Sequence, residues 1–73
     1  MNKSNNLVNF GNRVREIRKQ QKLTQEKLAE KIGYSANFIG MIERGERNTT
    51  IDNMFSIINT LKITPSEFFK IFN

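Results

Sequence analysis

Apolar residues recur at spacings of three and four along most of the chain, which is the period of one face of an α-helix. The stripe that predicts a first helix over residues 7–21 is Leu7, Phe10, Val14 and Ile17. The stripe that predicts a fourth helix is Ile51, Met54, Phe55, Ile58 and Leu61. No strand is expected. We therefore predict an all-α domain whose core includes Phe55, Ile58, Leu61 and Phe68.

Residue types that begin and end helices divide the chain into five helical segments. The hydroxyl side chains placed to cap a helix N-terminus are Thr24, Ser35, Thr50 and Thr64. Gly33 and Gly45 suit the ends of the second and third helices, because glycine readily adopts the left-handed conformation found there. Pro65 and Glu67 complete a capping box at the start of the fifth helix.

The spacing within residues 24–44 predicts a helix-turn-helix. Ala29 lets the second and third helices approach closely, and Gly33 permits the tight turn between them. Ile39 and Ile42 then attach the third helix to the first two. The opposite face of the third helix is held outward, where it can enter a DNA major groove about 12 Å wide.

Charge is distributed unevenly along the 73 residues. The net charge of +5 comes from residues 1–50, which hold ten Lys or Arg and five Asp or Glu, whereas residues 51–73 hold two of each. This division is typical of a polyanion-binding part joined to a packing part. The basic residues in and just after the first helix that we expect to face water or DNA are Arg13, Arg15, Lys19 and Lys22.

The chain has no histidine and no cysteine, so the usual nucleophile–base pairs and metal ligands are missing. We expect no enzymatic activity, metal, cofactor or small-molecule effector. Residues 1–6 are polar and predict a disordered tail, which leaves residues 7–73 as a single domain. No apolar run approaches the roughly 20 residues that span a bilayer, so we expect a cytoplasmic protein with no membrane partner.

Three stretches together resemble the Xre-type helix-turn-helix family, which includes the lambdoid phage repressors. They are Leu23–Ala29, Ile32-Gly33 and Ile42–Gly45, and the resemblance extends over residues 10–69. It implies a five-helix, lambda-repressor-like domain that binds double-stranded DNA as a homodimer. Residues 42–49 are similar to controller proteins of restriction–modification systems, although orphan regulators and antitoxin subunits share much of this pattern.

The outward face of the third helix supplies the candidate base contacts. They are Ala36, Asn37, Phe38, Gly40, Met41 and Arg44. Asn37 can make a bidentate contact to adenine. Gly40 is unusual inside a helix, and it indicates either close approach to DNA or close packing against another helix. Phe38 lies between core and groove, so it is a candidate for either role.

The resemblance implies roles for residues outside that face. The candidate phosphate contacts are Gln25, Ser35, Arg47, Asn48 and Thr49. The family also has a buried ion pair at the positions of Arg18 and Glu43. We therefore assign these two residues to the scaffold and not to DNA binding.

The C-terminal region has more apolar side chains than a small monomer usually buries. The candidate dimer contacts are Met54, Ile63, Phe69, Ile71 and Phe72. A two-fold dimer would place two recognition helices about 34–36 Å apart on a palindromic operator. The alternative is an antitoxin or adaptor module that uses the same apolar surface to bind a partner protein.

Overall fold

The computed structural model describes residues 5–72, which contain five α-helices and no strand. The helices are α1 (Asn5–Gln20), α2 (Gln25–Ile32), α3 (Ala36–Glu43), α4 (Ile51–Thr60) and α5 (Pro65–Phe69). The predicted all-α, five-helix architecture is therefore confirmed. Asn5 and Asn6, which we assigned to the disordered tail, lie in the first turn of α1. The other residues of that predicted tail lie outside the described part.

Four hydroxyl side chains cap helices, as the sequence predicts. Each oxygen accepts a hydrogen bond from the backbone N–H three residues later, at 3.0–3.1 Å, and the capping residues are Thr24, Ser35, Thr50 and Thr64. Gly33 ends α2 with a φ of 90°, and its N–H donates to the Ala29 carbonyl at 2.8 Å. This left-handed residue turns the chain sharply enough for α3 to start at Ala36.

The core lies where α1, α2 and α3 meet α4 and α5. Its buried apolar side chains are Phe10, Val14, Ile17, Leu28, Ala29, Ile39, Ile42, Ile57, Ile58, Leu61 and Phe68. Helices α1 and α3 approach so closely at Gly11 that a Cβ there would lie 2.2 Å from the Ile42 carbonyl oxygen. Gly11 is therefore required by backbone contact, which the apolar stripe did not reveal.

Helix α4 is rotated from the orientation that its stripe predicted. Ile57 is fully buried beside Ile58, whereas the side chains of Ile51 and Phe55 are 71% and 40% exposed. The prediction that Phe55 lies in the core is therefore wrong. Apolar residues occupy more of α4 than the single face that can meet the core, so spacing alone did not determine which of them would be buried.

Arg13 does not face solvent or DNA, which corrects our expectation for this residue. Its side chain is 7% exposed and crosses from α1 to the end of α5. Its Nε donates to the Phe68 carbonyl and its Nη2 to the Glu67 carbonyl, both at 2.8 Å. A guanidinium has five donors in a fixed fork, so it can bind two adjacent carbonyls at once.

No helix within residues 5–72 has the length and apolar character needed to cross a bilayer.

Candidate nucleic-acid interface

Helix α3 is attached by one face and open on the other. Ile39, Ile42 and Glu43 are buried against α1 and α2. Asn37 is fully on the open side, and Arg44 follows it at the C-terminal end of the helix, also exposed. The remaining predicted contacts on this side, Ala36, Phe38 and Met41, are half-buried. A helix anchored in this way can present Asn37 and Arg44 to a groove without losing its core contacts.

Gly40 does not lie on the open face, contrary to our placement of it. It is buried beside the N-terminus of α2. A Cβ at this position would lie 3.5 Å from Oε1 of Gln25 and 3.1 Å from Nη1 of Arg44. These side chains cover the backbone at Gly40, so Gly40 is not open to direct contact with a base.

The predicted pair of Arg18 and Glu43 forms the polar centre of the molecule. Arg18 binds the carboxylate through two bonds, Nε to Oε2 at 2.6 Å and Nη2 to Oε1 at 3.0 Å. Its Nη1 donates to the Leu23 carbonyl at 2.7 Å, so the same side chain also holds the turn between α1 and α2. Arg15 Nε lies 3.5 Å from Oε1 of Glu43. The carboxylate is thus surrounded by positive charge.

The environment of Glu43 shifts its ionisation. Burial by itself raises the pKa of this carboxyl. Hydrogen bonds from Arg18 and Gln25, together with the charges of Arg18 and Arg15, outweigh burial and hold the pKa below its usual value. Glu43 is therefore ionised at neutral pH and fixes three helices around one charge.

Gln25 belongs partly to this network. Its Nε2 donates to Oε1 of Glu43 at 3.0 Å, and the residue is half-buried. An amide nitrogen carries two hydrogens, so this bond leaves a second donor at the N-terminus of α2. The predicted phosphate contact of Gln25 stays a prediction, with its side chain oriented by Glu43.

The loop after α3 is organised around Phe38. The Arg47 guanidinium lies over the Phe38 ring at 5.4 Å from its centroid. Tyr34 meets the same ring edge-on at 5.1 Å, and its hydroxyl donates to Oδ1 of Asn53 at 2.7 Å. Our sequence analysis overlooked Tyr34, although its spacing of four from Phe38 was a signal. Phe38 thus has packing partners on two sides.

The remaining phosphate candidates differ in what they present. Ser35 is exposed, and its oxygen already accepts the cap bond from the Phe38 N–H. Asn48 is exposed, and its Oδ1 accepts a hydrogen bond from the Thr49 N–H at 3.0 Å. The Thr49 hydroxyl oxygen is buried and has no hydrogen-bond partner within the described residues. Thr49 therefore does not present its side-chain oxygen to a phosphate, contrary to expectation.

The predicted dimer contacts are less exposed than we expected. Four of them pack partly against the core, and these are Met54, Ile63, Phe69 and Phe72. Phe69 and Phe72 form an aromatic cluster with Phe10 and Phe68. Ile71 is 55% exposed. Within residues 5–72, the large apolar side chains that are most exposed are therefore Ile51, Phe55 and Ile71.

Comparison with known proteins places this architecture in a family. The family model described as Helix-turn-helix, HTH_3, matches residues 14–68, which include α2 and α3 entirely. The chain belongs to this helix-turn-helix family. Among individual relatives, the control protein C.BamHI of Bacillus amyloliquefaciens is 39% identical over 59 residues, which are 80% of this chain and 73% of that protein.

Solved structures of the family have the same fold. The restriction–modification controller protein C.AhdI from Aeromonas hydrophila superposes with a TM-score of 0.84 at 39% identity, over 90% of this chain and all of that one. The controller protein C.Esp1396I, solved as a tetramer with its natural 35-base-pair operator, superposes with a TM-score of 0.86 at 32% identity. That alignment covers 93% of this chain and 90% of the other.

These comparisons establish the general role of this chain. It is a DNA-binding regulator of transcription and not an enzyme. The relatives named above are controller proteins, which favours the regulator interpretation over the antitoxin or adaptor alternative.

Proposed function

We propose that this chain acts as a controller-type regulator, in the cytoplasm, that binds a palindromic operator as a homodimer. The observation that carries the proposal is the open face of α3. Asn37 and Arg44 are exposed there, and the opposite face is attached through Ile39, Ile42 and the Glu43 carboxylate. A rigid attachment of this kind favours sequence reading, because the base contacts are positioned before binding.

Two side chains of α3 supply most of the base readout in this proposal. Asn37 can pair with the N6 and N7 edge of adenine, and Arg44 with the O6 and N7 edge of guanine. Ala36 and Met41 offer apolar contact to thymine methyl groups. Phe38 lies at the edge of the same surface. With so few polar readers, part of the specificity comes from the shape and flexibility of the operator.

The phosphate contacts flank this face at both ends of the helix-turn-helix. Arg47 and Asn48 are exposed in the loop after α3, while Ser35 and the second amide hydrogen of Gln25 lie near the helix N-termini. Helix N-termini favour anions because their backbone N–H groups are unpaired and carry partial positive charge. Contacts of this type set the register of the protein on the duplex.

Dimer formation through the C-terminal region is supported by its surface. Ile51 and Phe55 lie one turn apart on α4, and both are exposed, as is Ile71. Exposed apolar side chains of this size favour a second protein surface. The related controller C.Esp1396I is a tetramer on its operator, which is consistent with a chain that pairs with copies of itself.

The first experiment selects binding sites from a random duplex library at about 0.15 M salt, because phosphate contacts steepen the loss of affinity with salt. We expect an enriched palindrome with half-sites about 10–11 base pairs apart. Asn37→Ala should relax the preference at one position of each half-site. Arg47→Ala should instead weaken binding to all sequences about equally and reduce the salt dependence. A library without enrichment would contradict sequence-specific binding.

Two further measurements address assembly and regulation. Phe55→Asp should raise the dimer dissociation constant in analytical ultracentrifugation, while Ser56→Ala, on the exposed neighbouring position of α4, serves as the control. A reporter promoter that carries the selected palindrome should change its output when the chain is expressed. An unchanged output with intact binding would argue against a regulatory role for that site.

A further inference from the structure

We infer that Gly40 is a positioning residue for DNA recognition, because its missing side chain lets the Arg44 guanidinium lie against α3 in a preset orientation. The inference rests on the proposed function, since Arg44 is assigned there to the operator. It gives Gly40 a role that neither direct base contact nor helix packing provides.

Packing does not require glycine at position 40, in contrast to position 11. A Cβ at Gly11 would meet backbone carbonyl oxygens at 2.2 and 2.6 Å, so no side chain fits there without moving a helix. Outside the backbone of α3 itself, the three atoms nearest to a Cβ at Gly40 belong to the side-chain ends of Arg44 and Gln25. The contact with Gln25, at 3.5 Å to Oε1, is an ordinary van der Waals distance. The fold therefore tolerates alanine at position 40.

Glycine at position 40 also lowers the stability of α3 itself. Glycine inside a helix is less stable than alanine because it has more backbone freedom to lose on folding. Gly40 is flanked by helical residues on both sides, since α3 extends from Ala36 to Glu43. Neither local conformation nor neighbouring backbone thus explains a glycine at this position. The remaining contact, 3.1 Å to Nη1 of Arg44, is tighter than most Cβ contacts.

The Arg44 side chain is oriented by contacts on both of its sides. Its backbone N–H donates to the Gly40 carbonyl at 3.1 Å, and its side chain returns along the helix toward the same residue. Its Nε also bonds Oε1 of Glu46 at 2.9 Å. The guanidinium is therefore held between the Gly40 backbone and the loop carboxylate. A Cβ at position 40 would require Nη1 to move by a few tenths of an ångström, which shifts the guanidinium from this position.

Orienting Arg44 in the free protein lowers the entropy lost when DNA is bound. Immobilising a long side chain on binding has a free-energy cost, and a preset side chain avoids part of it. Glycine at position 40 thus exchanges helix stability for a better oriented contact. The consequence is a substitution that strengthens the fold and weakens recognition.

The test is Gly40→Ala, measured in the full chain. We expect its Tm to rise by about 2–8 °C, as the helix propensity of alanine predicts for a domain of this size. Affinity for the palindrome selected by the wild-type chain should fall about two- to tenfold. Affinity for a scrambled duplex of equal length should stay nearly unchanged, because fold and net charge are preserved.

A double-mutant cycle separates an action through Arg44 from an action on DNA itself. In an Arg44→Ala background, Gly40→Ala should cause no further loss of affinity. In an Asn37→Ala background, which leaves Arg44 in place, the full loss should persist. This second background is the matched control, because the side chains nearest to a Cβ at Gly40 are those of Arg44 and Gln25 and not that of Asn37.

Any other result would contradict the inference, and each such result has a different cause. A lower Tm for Gly40→Ala would show that packing requires glycine. A loss that persists with Arg44→Ala would mean that the new methyl group meets DNA directly, and an unchanged affinity would remove any role in recognition. If the wild-type chain selects no palindrome, the proposed function itself fails, and this inference fails with it.

Discussion

Helix α1 is joined to two regions of the molecule by two buried arginines that work differently. Toward the helix-turn-helix, Arg18 binds the Glu43 carboxylate with two short hydrogen bonds. Toward α5, Arg13 binds the backbone carbonyls of Glu67 and Phe68, and it also pairs with the half-exposed Glu16 carboxylate at 3.0 Å. One junction neutralises a buried charge with another, whereas the second uses a charge to hold the end of a short helix.

The two regions also differ in the polarity of their surfaces. The helix-turn-helix has charged and polar groups both inside and outside, with Glu43 buried and Asn37 and Arg44 exposed. The region of α4 and α5 buries only apolar side chains and exposes others, such as Ile51 and Phe55. The charged and polar groups of the helix-turn-helix suit binding to phosphates and base edges. The exposed apolar side chains of the other region suit binding to a protein surface.

The largest expected effect comes from removing the charge at the first junction. Glu43→Ala should destabilise the fold by about 3–5 kcal/mol, because it leaves Arg18 buried without its partner. Urea unfolding followed by circular dichroism measures this loss. The comparison is with Glu67→Ala at the second region, where an exposed carboxylate pairs with Lys70 and only a small change is expected. An unchanged melting temperature for Glu43→Ala would contradict a structural role for the pair.

The second junction should be weaker. Arg13→Met keeps much of the apolar stem but leaves two carbonyls of α5 without their donor, so we expect a loss of about 2 kcal/mol. Hydrogen exchange should show the loss concentrated in α5, with little change in α3. Arg13→Lys is the control, because a single ammonium cannot reproduce the fork on both carbonyls and should recover only part of the stability. Equal protection of α5 in both variants and in the wild type would argue against the clamp.

Helix ends could be predicted from the sequence but the position of Arg13 could not, and the difference has a physical reason. Helix ends were predictable because caps such as Thr24 and Ser35 act on backbone groups three residues away. Short-range chemistry of this kind is written directly in the sequence. Arg13 was misplaced because its partners, the carbonyls of Glu67 and Phe68, are more than fifty residues distant and carry no side-chain signature.

Prediction of the candidate DNA-binding site from the sequence was limited in the same way. Asn37 and Arg44 could be placed on one face from helical periodicity alone, and Arg18 and Glu43 could be paired from the family resemblance. Gly40 was placed on the open face because periodicity describes backbone positions in a single helix and not the side chains of Gln25 and Arg44 that cover it. The rotation of α4 was missed for a related reason, since Ile57 and Phe55 have similar hydrophobicity and only packing against the other helices distinguishes them.

The pH dependence of the free energy of unfolding should reveal a smaller effect, which comes from the first junction. The Glu43 carboxyl has a folded-state pKa below the ordinary value of 4.5, so the unfolded chain binds its proton first as pH falls. The stabilisation is complete above pH 4.5 and disappears as the pH decreases through the folded pKa. Urea unfolding between pH 7 and pH 3 measures it. Glu43→Gln should flatten this part of the profile, and a variant with the wild-type slope would show that other carboxylates cause it.

The smallest effects come from two lysines that occupy the left-handed conformation, one in each region. Lys22 follows α1 with a φ of 60°, and Lys62 follows α4 with a φ of 58°. Glycine adopts this conformation without the steric penalty of a Cβ, so Lys22→Gly and Lys62→Gly should each stabilise the fold by about 1 kcal/mol. Thermal unfolding measures both changes, and Lys→Ala at each position is the control that removes the charge but keeps the strain.

The same pair of variants tests whether basic charge in the first region serves DNA. Lys22 belongs to the basic part of the chain and Lys62 to the neutral part. If Lys22 neutralises a phosphate, Lys22→Gly and Lys22→Ala should both weaken operator binding and reduce the salt slope by about one. The Lys62 variants should leave both quantities unchanged. Equal losses of operator affinity at both positions would mean that basic residues in both regions attract DNA. DNA binding would then not be confined to the region of the helix-turn-helix.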